Sequence, residues 1–216
     1  MKKFSRQYSS LDQACLEFDK IIRTLSGKNN SSERDYPAEN ISHPYLSDKQ
    51  KKHSAALMRI NHAGEVCAQA LYHAQAISSH DKKLKEKMQQ AALEENDHLA
   101  WCNQRLIELN SHTSYLNPFW YAGSFAIGLA AGCAGDKWSL GFVAETEQQV
   151  VKHLEKHLNH LPKNDERSFH ILQQMKKDEA AHRDHAIQSG AAVLPNFIKK
   201  IMKITSAVMV KISYWV

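Results

Sequence analysis

Glu95 and His98 stand three residues apart, and so do Glu179 and His182. On an α-helix that spacing stacks a carboxylate and an imidazole on one face. Each pair follows a helical stretch carrying a further glutamate, Glu65 ahead of the first and Glu147 ahead of the second. One Glu from one helix and a Glu-x-x-His from the next, used twice, is the ligand pattern of di-iron carboxylate four-helix bundles. Four carboxylates in one apolar interior cannot all stay ionised, because desolvation and mutual repulsion raise their pKa values. Two divalent cations remove the conflict, with His98 and His182 as neutral imidazole ligands. An oxygen-rich set with one imidazole per metal suits iron or manganese better than a soft metal.

Each residue also has an ordinary reading. Glu94, Glu95 and Asp97 crowd one turn, and such acid runs usually form a solvated face. Glu145 competes with Glu147; the two lie about 200° apart on a helix, so only one can face the core. Val150, Val151 and Leu154 at the following helical positions favour Glu147. With 13 histidines, chance pairs are expected. His153 with His157, or His182 with His185, could hold a surface zinc, but neither pair brings carboxylate partners. Cys67 and Cys102 read as small core residues. His62, one turn before Glu65, and His153, six after Glu147, are candidates for orienting ligands from just outside the metal. The conjunction of two Glu-x-x-His pairs, each behind an available Glu, is more specific than any part.

Positioning these residues requires long helices, and the composition supplies them. The chain has 216 residues, 43% of them hydrophobic, with only 8 Gly and 5 Pro. That is an all-α composition with enough apolar mass for one sizeable core. Ser10 and Gln13 suggest a capping box for a first helix, with Gly27 as its stop. Residues 28–44 read as a linker, so 1–45 form an N-terminal helix and linker and 46–216 the main domain. Ser47 and Gln50 open a second helix to about Ser79, and Asp81 caps a third to about Asn110. The spacing predicts a fourth long helix over 140–161, ended by Pro162. A fifth is capped by Asn164 or Asp165 and stops at Gly190.

Two further stretches look outward. The uncharged run from Phe119 to Ala134 contains Gly128-Leu129-Ala130-Ala131-Gly132, which permits close helix approach. It is shorter than the ~20 residues a spanning helix needs, so a buried or interfacial helix is expected. The last helix, 195–215, opens on Pro195 at its first position. Lys199, Lys200, Lys203 and Lys211 share one arc, opposite Phe197, Ile201, Ile204, Val208, Ile212 and Trp215. A basic amphipathic helix ending in Tyr214-Trp215 reads as binding a membrane surface. The net charge of +5 is mild and gives no ground for a nucleic-acid partner. Four cysteines without a Cys-x-x-Cys pair, and no apolar run after Lys2 and Lys3, point to a reducing cytosolic side and no secretory signal.

The string Met58-Arg59-Ile60-Asn61-His62-Ala63-Gly64-Glu65, with Glu95-x-x-His98, Glu147 and His153, and Glu179-x-x-His182, resembles the demethoxyubiquinone hydroxylases of ubiquinone biosynthesis. The likeness runs from about Leu46 to the C-terminus, and 135–147 also looks like bacterial members. One departure is Leu154, where many relatives carry Tyr. The resemblance implies a ferritin-like four-helix bundle, with the first helix and the membrane-surface helices added to it. It implies two iron ions held by Glu65, Glu95, His98, Glu147, Glu179 and His182. It implies a monooxygenase that hydroxylates a polyprenylated demethoxy-benzoquinol with molecular oxygen, peripheral on the cytoplasmic side of the cell membrane, without naming the electron donor. Two alternatives stand beside it: an iron- or peroxide-handling protein of ferritin or rubrerythrin type, and a non-catalytic helical scaffold at a membrane surface.

Overall fold

The structure, a computed structural model, describes residues 9–26, 34–43, 45–79 and 81–216. Among these, seven helices and no strand occur: α1 (Ser10–Ser26), α2 (Asp48–Ser78), α3 (Lys82–Glu108), α4 (Asn117–Cys133), α5 (Asp136–His160), α6 (Glu166–Gln188) and α7 (Asn196–Ser213). Helices α2, α3, α5 and α6 form the four-helix bundle, α2 pairing with α3 and α5 with α6. α4 lies along α2, and α7 rests on α2 and α5.

The caps set the helix registers. Ser47 and Gln50 form the expected capping box on α2. α1 opens one residue earlier in register than the Ser10–Gln13 box: the Asp12 N–H donates to Ser9 Oγ and the Ser9 N–H to Asp12 Oδ2. Gly27, its expected stop, lies outside the described residues. Asp81 Oδ1 accepts from the Leu84 N–H at the start of α3. Asp165, not Asn164, caps α6 by accepting from the Ser168 N–H. Gly190, with φ +95, follows the end of α6. α5 begins at Asp136, earlier than the expected Leu140; its first turn is partly exposed, so the apolar period starts only later. Pro195 is the cap residue of α7 and not its first helical residue, and that helix closes at Ser213. Such one- or two-residue shifts are within the ordinary fraying of helix ends.

α2 is the centre of the molecule. It is 31 residues long and is contacted by α1, α3, α4, α5 and α7, so it is buried on most faces and weakly amphipathic. α4 packs closely on it because a Cβ at Gly128 would lie 2.8 Å from the Leu71 carbonyl oxygen, and one at Gly132 1.8 Å from Ser78 Oγ. On its other side Phe119, Ile127 and Leu129 stay exposed, so α4 is covered on one face only. Arg59 ties the α3–α4 connection to the C-terminal residues, donating to the carbonyls of His112 and Tyr214 and to Ser111 Oγ.

The stretch read as a linker is docked where it is described. Ala38 is fully buried, and Tyr36, Ile41 and Leu46 pack on the core of Leu106, Leu172 and Met175. Arg167 donates to the Ile41 carbonyl and sits over the Tyr36 ring. The period of a helix or strand is absent there, so the sequence gives no sign of this packing.

α7 keeps its apolar stripe uncovered. Phe197, Ile201, Ile204, Val208 and Trp215 are exposed, with Lys200, Lys203 and Lys211 exposed beside them. Lys199 pairs with Glu145 at 3.3 Å, which places Glu145 on the rim and leaves Glu147 for the interior. Among the described residues no helix is long and apolar enough to cross a membrane.

Candidate metal centre

Glu65 from α2, Glu95 and His98 from α3, Glu147 from α5, and Glu179 and His182 from α6 are all buried, Glu95 and His98 completely. Each Glu-x-x-His pair sits mid-helix, so the i, i+3 geometry aims both side chains at the bundle axis. Ligand atoms of Glu65, Glu95, His98 and Glu179 all lie within 4.8 Å of one another.

The contacts divide the six residues into two half-centres that share two carboxylates. His98 Nδ1 is 3.1 Å from Glu95 Oε2, 3.1 Å from Glu179 Oε1 and 3.7 Å from Glu65 Oε2. His182 Nδ1 is 3.2 Å from Glu95 Oε1 and 3.4 Å from Glu179 Oε2. Glu95 and Glu179 thus present one oxygen to each histidine. Glu65 stands at the His98 end. Glu147 stands by Glu179, with which it shares a hydrogen bond, and accepts from the Tyr72 hydroxyl at 2.6 Å.

Which ring nitrogen carries the hydrogen follows from the outer partners. His98 Nε2 lies 3.0 Å from Asp178 Oδ2, and His182 Nε2 lies 2.7 Å from Glu94 Oε2. An ionised carboxylate only accepts, so each Nε2 is an N–H. Burial lowers both rings, but Glu95 and Glu179 outweigh it and raise them, His182 to about 12, so without a cation each Nδ1 carries a proton that a metal would displace. Glu95 Oε1, Glu179 Oε2 and His182 Nδ1 are buried there without a hydrogen-bond partner. Without a cation, burial and then the neighbouring Glu95 charge push the Glu65 carboxyl well up. Burial and then Glu179 do the same to Glu147. Converging carboxylate and imidazole atoms, orphaned buried polar atoms and two carboxyls held from ionising are the conditions a cation relieves, so this buried Glu/His cluster could hold metal.

Asp178 and Glu94 were missed from the sequence. Glu94 reads as part of a solvated acid run, yet it holds His182 on the facing helix. The sign was present: an acid directly precedes Glu95 and Glu179 alike, at matching places in the two repeats. The two histidines expected to do this work are placed elsewhere. His62 is buried against Asn117, and burial lowers it to about 4. His153 is stacked on His157, ring centroids 3.9 Å apart. Cys102 is a core residue as expected, while Cys67 faces the cavity described next.

A cavity of about 460 Å³ reaches the centre from outside. Its inner end meets Gly64, Glu65, Glu147 and Glu179; its walls include Trp120, Ile127 and Phe142, and Ile201 and Met202 of α7. The stretch 113–135 and the last helix thus wall one and the same passage. Its volume and apolar lining suit a drug-sized apolar ligand.

Comparison with known proteins adds to this geometry. The family described as ubiquinone biosynthesis protein COQ7 matches residues 52–213. A protein of Nitrosococcus oceani named 3-demethoxyubiquinol 3-hydroxylase is 52% identical over 211 residues, covering 98% of this chain and 99% of that one. Proteins with the same name from Acinetobacter baumannii and Polynucleobacter necessarius are 51% and 52% identical, covering 97% and 95% of this chain and 99% of each relative.

Proposed function

The chain belongs to the ubiquinone biosynthesis protein COQ7 family, and on that premise we propose that it is a 3-demethoxyubiquinol 3-hydroxylase with a non-haem di-iron centre. Glu65, Glu95, His98, Glu147, Glu179 and His182 would hold the two iron ions, with Glu95 and Glu179 each offering one oxygen toward either histidine. The observation that carries this reading is the buried cluster of carboxylates and imidazoles at the end of an apolar cavity. Iron bound there would activate dioxygen and relay two electrons from an external donor, so that with two protons one oxygen atom enters the ring and the other leaves as water.

The rest is done by the chain. Asp178 and Glu94 keep His98 and His182 in one tautomer and orientation. Tyr72 holds Glu147 in place and keeps one of its oxygens hydrogen-bonded. The apolar walls exclude water and seat the ring of the quinol beside Glu65 and Gly64, while the prenyl tail trails out between α4 and α7. An apolar passage of this size is not needed to handle iron ions or peroxide, which disfavours the storage reading. Quinone profiling of cells lacking this protein tests the reaction. Demethoxyubiquinone should accumulate and disappear when the intact gene is returned; unchanged quinones would refute the assignment.

The exposed faces of α4 and α7 support a peripheral position on the cytoplasmic leaflet. The mouth of the cavity is rimmed by the same exposed apolar side chains, with the α7 lysines available to anionic headgroups. An I204D/V208D double variant puts two charges on that stripe without touching the bundle core. Wild-type protein should co-float with vesicles containing anionic lipid. The variant should stay in the soluble fraction at unchanged metal content; equal flotation would move the lipid contact to another face.

A further inference from the structure

The two half-centres match in their ligands and in their outer carboxylates, but not in what lies behind those carboxylates. Behind His182, Glu94 has its second oxygen on Gln90 Nε2 at 3.3 Å, and its side chain is 38% exposed. It opens onto a separate cavity lined by Lys87 and His185. Behind His98, Asp178 is only 16% exposed and carries a cation: Arg34 Nη2 donates to Asp178 Oδ2 at 2.7 Å, the same oxygen that holds His98 Nε2. Asp178 Oδ1 accepts from Gln174 Nε2. The Arg34 guanidinium also faces Asp97 at 3.9 Å and lies over the Trp101 ring, 4.8 Å from its centroid. That ring in turn packs on His98, centroids 5.3 Å apart.

Arg34 therefore touches both groups that fix the His98 imidazole from outside. It comes from the docked stretch 34–43, which precedes the residues matched by the family and which is pinned by Ala38, Tyr36 and the Arg167–Ile41 bond. We propose that Arg34 is a positioning residue for the metal centre: through Asp178 it locks His98 and makes the two metal positions unequal. The inference rests on the two-iron reading above. A carboxylate already bound by a guanidinium is held in one rotamer, so the imidazole it orients loses freedom to swing off the metal. The guanidinium also covers the seam between α3 and α6 at this point. The His182 half has an amide in that place and stands nearer to solvent. The metal beside His98 is accordingly the one retained.

The test uses full-length protein loaded with cobalt(II), followed by its visible absorption during a chelator challenge. Wild-type protein should take up two equivalents and release them in a fast and a slow phase. In R34Q the slow phase should accelerate by roughly 10-fold or more, the scale of losing an outer partner, and the absorption band should shift. R34K, which keeps the charge but not the planar fork, should recover part of the slow phase and fall between R34Q and wild type. Metal-free R34Q and wild type should melt together. A wild-type slow phase and band in R34Q would overturn the proposal, as would an acceleration that R34K does not repair in part. Uptake of fewer than two equivalents by the wild type would instead bring down the two-metal reading, and this inference with it.

Discussion

Glu179→Ala should empty both metal positions and abolish ring hydroxylation, by three orders of magnitude or more against the ~10–100-fold expected for an outer partner. Glu179 gives one oxygen to the side facing His98 and the other to the side facing His182. Removing it takes a ligand from each metal at once and leaves the positive charges under-compensated. Glu95→Ala should behave alike, for the same reason. Glu147→Ala, at one end only, should retain about half the iron. The measurement is metal content and turnover of purified variants, with melting curves of the metal-free proteins beside them. Those curves carry their own expectation. In metal-free wild type Glu179 is paired with His98 and His182, so Glu179→Ala should melt below it even without metal, while still melting cooperatively as a folded protein. If Glu179→Ala keeps two irons, Glu179 is not needed at either position and the half-centre division is wrong.

Gly64→Leu should block the reaction while leaving the metal in place. Gly64 sits inside α2, where glycine costs about 1 kcal/mol relative to alanine. Nothing in the fold demands it: a Cβ there meets no atom within 4 Å, whereas one at Gly128 or Gly132 collides with α2. The empty space beside Gly64 is the inner end of the cavity, next to Glu65. A leucine there would fill the volume in which the quinol ring is proposed to sit. Turnover should fall by about 100-fold or more, as expected when a reacting group is displaced by an ångström or so. Iron content should be unchanged, and the melting point should hold or rise, since a better helix former replaces glycine. Gly64→Ala should show a smaller step in the same direction, mainly in KM. Full activity in Gly64→Leu would place the ring elsewhere along the passage.

Several features were legible because they are local. The Glu-x-x-His pairs could be placed on one face from their spacing, since rotation per residue on a helix is fixed. The Ser47–Gln50 cap was legible for the same reason. The α7 stripe of Phe197, Ile201, Ile204 and Val208 was equally plain, being a period and nothing more. The preference for Glu147 over Glu145 drew on the same geometry, and Glu145 does lie outside, against Lys199. Misreadings came where local signs were ambiguous. An acid run such as 94–97 looks the same whether water or a histidine on another helix receives it. A histidine one turn from a ligand, such as His62, has several directions to point, and packing against Asn117 chose a different one.

Spacing along the chain is enough to say which side chains share a helix face, and so that two carboxylate–imidazole pairs and two further glutamates are available to a bundle. How they combine depends on the packing of the helices. Asp178 serves His98 on α3, Glu94 serves His182 on α6, and Arg34 reaches the first of these from far earlier in the chain. Whether the stripe on α7 is covered or open, and that its helix closes a passage with α4, are likewise matters of assembly. The physical reason is range: dihedral preferences fix geometry over three or four residues, whereas distances between helices come from how whole faces pack.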